Sequence, residues 1–252
     1  MRRGSTLWLA GFLLFSLTVE GVRAEGELTG LSPEQFLAEV RQPFRQDAWG
    51  EITGRLTYVK GEVYQKGTVR IRLTFSETSL HAQVVINEKN VYGYEQKHGE
   101  GEIPETVFDL PEKEEPPGLA DYGVQPEDIT FAFIYWRFVR ELPTETFRQR
   151  DCRVFELRHP GEGKGTVRVW FDASRGFPLQ AQWFQPDATE PWRTLELKGA
   201  KKHANDLWFV KEMRLEGAEW KTQVIFDHVE INPVEKDAPE PTALPEAKER
   251  AE

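Results

Sequence analysis

Histidine, cysteine and carboxylate side chains are the ones best suited to catalysis or metal binding, and here they are scattered. The five histidines are His81, His98, His159, His203 and His228, and no two share a metal-ligand spacing. His81 and His228 have polar neighbours and suit solvated or hydrogen-bonded positions. No serine or cysteine stands in a nucleophile-elbow setting, and no Gly-rich loop is built to cradle a phosphate. Cys152, the single cysteine, lies between Asp151 and Arg153. It could be a reactive thiol, but a half-buried small side chain is the simpler reading. Asp172 closes a strand-like run, where a carboxylate accepts backbone N–H bonds at a hairpin corner. No acidic pair has the spacing of an acid/base couple, and Lys201-Lys202-His203 reads as a charged loop. These residues predict no catalytic site, no metal site and no cofactor.

The chemistry that remains is burial of apolar surface. Between residues 165 and 184, Val167, Val169 and Phe171 alternate with Arg168 and Trp170. Asp172-Ala173-Ser174-Arg175-Gly176 supplies a turn, with Gly176 free to take a positive φ and Pro178 presetting the exit. Leu179, Ala181 and Trp183 then alternate with Gln180 and Gln182. The stretch predicts a long antiparallel hairpin with one apolar and one wet face.

Its surroundings repeat the theme. Ile52, Gly54, Leu56 and Tyr58 share a face, as do Val69, Ile71, Leu73 and Phe75. Leu80, Ala82, Val84 and Ile86 follow, and 87–90 turns the chain into 91–95. Further strands are expected at 154–157, 192–198, 207–215 and 220–231. Helix signals occur at two places. Ser32-Pro33-Glu34-Gln35 is a capping box with Pro33 at the first helical position, and Phe36, Leu37, Val40 and Phe44 form one face that ends near Pro43. Pro126-Glu127-Asp128 precedes the most apolar window of the mature chain, 131–138, where periodicity allows a helix or a buried strand and the start signal favours a helix. Residues 99–127, rich in Gly, Pro and Glu, read as a surface loop. About ten or eleven strands exceed what two helical pieces can cover, so the apolar face suits either a ligand cavity or a packed core.

The first residues read as a secretory signal. Arg2 and Arg3 precede an apolar run at 7–17 too short to span a bilayer, and Val22 and Ala24 fit cleavage after Ala24. No lipid-attachment cysteine follows, and a single cysteine leaves no internal disulfide. Removing residues 1–24 takes away three arginines and Glu20, moving the net charge from −10 to −12. That balance disfavours nucleic acid and anionic headgroups. Beyond Pro233, the Pro- and charge-rich composition predicts a disordered tail.

The order of these segments resembles the LolA/LolB-like family of outer membrane lipoprotein-sorting proteins. The resemblance is carried by the signal, the capped helix leading into Ile52-Thr53-Gly54-Arg55-Leu56, and Asp128-Ile129-Thr130-Phe131 before an aromatic segment. It continues through Cys152-Arg153-Val154-Phe155-Glu156-Leu157, Val169-Trp170-Phe171-Asp172 with Phe177-Pro178-Leu179, Trp208-Phe209-Val210-Lys211-Glu212-Met213 and Val229-Glu230-Ile231-Asn232. It implies a mainly β (α+β) fold, an incomplete, strongly curved antiparallel β-barrel covering an N-terminal helix and a short helical plug. The domains would be 1–24 signal peptide, 25–232 half-barrel and 233–252 tail. It also implies a periplasmic, non-enzymatic carrier for lipoprotein acyl chains or a similar lipid. Ligand-lining candidates are Leu56, Tyr58, Ile71, Leu73, Phe75, Val84, Ile86, Val169, Phe171, Trp183 and Phe226. Phe131, Phe133, Ile134, Trp136 and Phe138 are candidates for a plug or lid. Arg55 and Arg72 are candidates for the carriers' functional arginine. The insert at 112–118 and the tail depart from the family pattern. A monomer is expected, not membrane-spanning after signal removal. The alternative is an interaction module that binds another envelope protein through its acidic surface or tail.

Overall fold

The computed structural model describes residues 28–42, 47–106, 119–202 and 208–234. The expected signal, the helix end at Pro43 and Phe44, the insert at 112–118, His203, Leu207 and the tail from 235 onward lie outside the described residues.

Helix α1 (Pro33–Arg41) begins as its capping box predicts: Ser32 Oγ accepts from the Gln35 amide, and Gln35 Oε1 accepts from the Ser32 amide at 3.0 Å. The strands are β1 (Ala48–Lys60), β2 (Val63–Phe75), β3 (Ser79–Ile86), β4 (Asn90–Lys97) and β5 (Glu105–Thr106). After a 3₁₀ turn (Leu119–Tyr122) and helix α2 (Pro126–Thr130) come β6 (Arg137–Phe147), β7 (Arg150–Arg158), β8 (Thr166–Asp172) and β9 (Pro178–Phe184). The last are β10 (Arg193–Lys198), β11 (Lys201–Lys202), β12 (Trp208–Phe209), β13 (Glu212–Gly217) and β14 (Trp220–Pro233). Twelve of these form one antiparallel sheet in the order β5-β4-β3-β2-β1-β14-β13-β10-β9-β8-β7-β6, while β11 and β12 pair separately. The edges β5 and β6 are not joined, so the barrel is open.

Strand alternation follows the side-chain period of two. Along β1, Ala48, Gly50, Ile52, Gly54, Leu56 and Tyr58 are buried while their neighbours are not. At Gly54 the β1–β14 register shifts, and a Cβ there would stand 2.3 Å from the Ile225 carbonyl oxygen, so glycine is what permits the close approach. The hairpin between β8 and β9 turns as expected: the Gly176 amide donates to Asp172 O at 2.8 Å, with Gly176 at φ 70°. Asn87 and Glu88, both at positive φ, make the tight β3–β4 turn. The expected strand at 207–215 is two strands, β12 and β13, separated at Val210 and Lys211.

Two segments depart from the sequence expectation. Residues 131–138 are not one helix. Phe131 enters the left-handed region at φ 53° and ends α2, Ala132–Tyr135 form a 3₁₀ turn, and the chain is already β6 at Arg137. Phe138 therefore belongs to a strand, 6.1 Å from Phe155, and not to the plug. Two register shifts in β6 interrupt the alternation that would have announced it, and Pro143 is tolerated because β6 is an edge strand. Residues 99–127 are not all surface loop either: β5 extends the sheet, and Leu119, Tyr122 and Val124 are buried.

Both helical pieces pack on one face of the sheet, its inner face. Phe36 of α1 stacks on Phe155 at 5.3 Å and meets Phe171 edge-on at 5.9 Å. Burying Phe36, Leu37 and Val40 contributes about 1.5–3 kcal/mol each. On the outer face the β6–β7 hairpin reaches across the sheet: Arg148 at its tip donates to Glu196 of β10 at 2.5 Å. Glu145 accepts from Trp170 Nε1 at 2.9 Å beside the buried Cys152 and Val154.

Candidate functional site

The inner face is continuous across the sheet. The eleven lining candidates belong to one hydrophobic core, none more than 8% exposed. Leu56 and Tyr58 lie on β1, Ile71, Leu73 and Phe75 on β2, Val84 and Ile86 on β3. Val169 and Phe171 lie on β8, Trp183 on β9 and Phe226 on β14. Registers Val169↔Ala181, Ala181↔Leu195 and Leu195↔Leu215 carry this face from β8 to β13.

Against it sits a plug made of α2 and the 3₁₀ turn. Phe131, Phe133, Ile134 and Trp136 are all buried in it, and Phe133 meets Trp183 edge-on at 5.4 Å. Two arginines hold the plug. Arg41, at the end of α1, donates to the Ile134 carbonyl at 2.9 Å and the Trp136 carbonyl at 3.2 Å. Arg193, at the start of β10, donates from both terminal nitrogens to the two Asp128 carboxylate oxygens, each at 3.1 Å. Arg193 is 1% exposed and Asp128 0%, so this bidentate pair is fully buried. Glu127 stands 3.5 Å from the same guanidinium, and the Trp183 ring lies 3.9 Å beneath it. Among the described residues, Arg193 Nε has no hydrogen-bond partner.

The electrostatics of the pair follow from its burial. Loss of hydration pushes the Asp128 carboxyl up to about 7; Arg193 and the Gln125 amide pull it down, and Glu127 adds to the rise. Helix α2 is only five residues long, too short to be stable alone, so its position depends on these contacts.

The sequence-predicted arginines are elsewhere. Arg55 and Arg72 alternate onto the outer face, where Arg55 pairs with Asp227 at 2.9 Å and Arg72 with Glu51 at 3.2 Å. The inner-face arginine of the plug is Arg193, which the sequence reading missed. A signal for it existed: Arg193 is in phase with Leu195 and Leu197, a charge on the apolar side of a strand. The sequence gives Asp128 no ion-pair signal, because its partner is 65 residues away.

The remaining reactive groups are accounted for locally. Cys152 is buried with its Sγ 3.4 Å from the Arg150 carbonyl, and burial pushes its thiol up, away from reactivity. Burial would raise Asp172, but hydrogen bonds from Ser174 and Arg150 and from the Ser174 and Arg175 amides outweigh it and hold the carboxyl below its usual range. That is the hairpin-corner role expected for it. His159 lies edge-on to Trp136 at 4.4 Å, and His98 stacks on Tyr135 at 5.5 Å. Among the described residues, no group of three or more His, Cys, Asp or Glu is arranged to hold a metal ion.

No protein-family model matches the sequence, and comparison with curated proteins gives no match. The solved structures do give matches. A Vibrio parahaemolyticus domain described as an outer membrane lipoprotein-sorting protein domain superposes with TM-score 0.60 at 13% identity, covering 81% of this chain and 93% of that one. A DUF1329 family protein from Desulfovibrio piger gives 0.58 at 11% identity, over 77% and 90% of the two chains. A LolA superfamily protein from Nitrosomonas europaea gives 0.54 at 14% identity, over 81% and 96%. Identities this low carry the architecture alone, and on that architecture the chain has the LolA-type open-barrel fold.

Proposed function

We propose that this protein is a non-enzymatic, exported carrier or binding protein that takes an acyl chain or a similar apolar group on the inner face of its half-barrel. The observation that supports it is the arrangement of that face. A continuous apolar surface is capped by a plug too short to be stable alone, and a buried ion pair ties the plug to the sheet. A core built only for stability gains little from such a pair, because apolar residues of equal volume do as well or better. A plug that must leave has a use for an interaction that can be exchanged. Displacing Phe131, Phe133, Ile134 and Trp136 would open space over Trp183 on the inner face. Burial would then stabilise the incoming chain by about 25 cal/mol per Å² of apolar surface. The neighbours named for lipoprotein sorting fit this reading, and the signal read at residues 1–24 would deliver the protein to the periplasm.

Native mass spectrometry with organic extraction tests it on protein purified from the periplasm without detergent. The expected result is a co-purifying lipid or acylated peptide, or uptake of added lipopeptide, that is diminished in a folded Trp183→Asp variant. A clean apo mass with no uptake of any lipid would return the inner face to ordinary core.

A further inference from the structure

Arg193 differs from the other arginine on the inner face. Arg153 is fully engaged: Nε and Nη2 bind Glu141 at 2.6 and 2.9 Å, and Nη1 binds the Leu31 carbonyl at 3.0 Å. Its partners lie on β6 and ahead of α1, outside the plug. Arg193 takes its counter-charge from the plug itself, through both oxygens of Asp128 with Glu127 behind, and its Nε is unpartnered. When the plug lifts, both carboxylates go with it. The Arg193 guanidinium, 1% exposed with the plug in place, would be left beside Trp183 with no anion, and an unpaired charge against an apolar face is costly. A neutral acyl chain entering under the plug would bear that cost in full. A chain with an anionic head exchanges one ion pair for another.

Position agrees with charge. Arg193 opens β10, in the row that pairs with Trp183 on one side and Gly217 on the other, at one end of the inner face. Leu195 and Leu197 continue from it toward the opposite end on the same side. A head at Arg193 would leave its chain lying along them.

We propose that Arg193 is a head-group site, and that the bound molecule is an amphiphile whose oxyanion, a carboxylate or a phosphate, replaces the Asp128 carboxylate on the guanidinium. Trp183 then serves as the floor of the site and the Arg193 Nε supplies an additional donor. The proposal rests on the carrier reading and adds the ligand's chemical class.

The test is calorimetric titration of the full chain with hexadecanoate, hexadecyl phosphate and hexadecanol, each below its micelle concentration. The same titrations are made on Arg193→Met/Asp128→Leu, which removes both charges together and whose fold is checked by thermal melting. For the wild type, at least one anion binds about tenfold or more tighter than hexadecanol, and the better of the two identifies carboxylate or phosphate. In the double variant all three bind within about twofold of one another. Equal binding of hexadecanol and both anions by the wild type would overturn the head-group site and leave the carrier reading standing. An anion preference that survives in the double variant would place the head elsewhere and overturn it as well. Binding of none of the three would overturn both.

Discussion

Two arginine–aspartate pairs in this molecule have nearly the same geometry and opposite surroundings. Arg55 and Asp227 meet through two bonds of 2.9 Å on the outer face, with side chains 66% and 49% exposed. Arg193 and Asp128 meet through two bonds of 3.1 Å on the inner face, at 1% and 0%. The hydrogen bond from Arg55 holds the Asp227 carboxyl below its ordinary range, whereas burial pushes that of Asp128 up in spite of Arg193. Contact geometry alone therefore does not set the energetics of a pair; hydration does. The outer pair is a surface ornament of small weight, and the inner pair is a costly one with leverage over the plug.

The largest effect is expected from breaking the inner pair on one side. Arg193→Met leaves Asp128 buried without a cation, and denaturant unfolding should show a loss of about 3–5 kcal/mol. Replacing both partners, as Arg193→Met/Asp128→Leu, should recover most of that loss by the same measurement, because no charge is then stranded. The pH dependence comes next. Asp128 is raised in the folded state, so the folded protein holds a proton that the unfolded chain has released. Its contribution is fully present below about 4 and is lost as pH rises to about 7, and Asp128→Asn should remove that descent from a melting-temperature profile. Asp172 has the opposite sign: its lowered carboxyl stabilises above the ordinary aspartate range and is lost on acidification, so Asp172→Asn should flatten the acid limb. At the other end of the scale, Arg55→Ala should leave the melting temperature within experimental scatter.

The same contrast explains what the sequence made legible. Alternation along 48–86 and 165–184 is a local property, and it marks the sheet, its inner face and the Asp172 corner without any long-range information. The capping box of α1 is equally local. Arg193 and Asp128 required a contact across 65 residues, and the outer-face arginines Arg55 and Arg72 were as visible as the buried one. The useful sign was phase: Arg55 and Arg72 alternate with apolar residues, while Arg193 takes an apolar residue's place. Strand β6 was hidden for a different reason. Its two register shifts break the period of two, and the start signal at 126–128 favoured a helix over a strand for the aromatic run before it.

The central claim is that the plug is displaced when the inner face is occupied. Hydrogen–deuterium exchange of the amides of 126–136, with and without a bound sixteen-carbon amphiphile, tests it directly. The account predicts exchange there about tenfold or more faster in the loaded protein, with β8 and β9 unchanged. Plug amides that keep or increase their protection while the amphiphile is bound would contradict it, since the ligand would then lie somewhere other than beneath the plug.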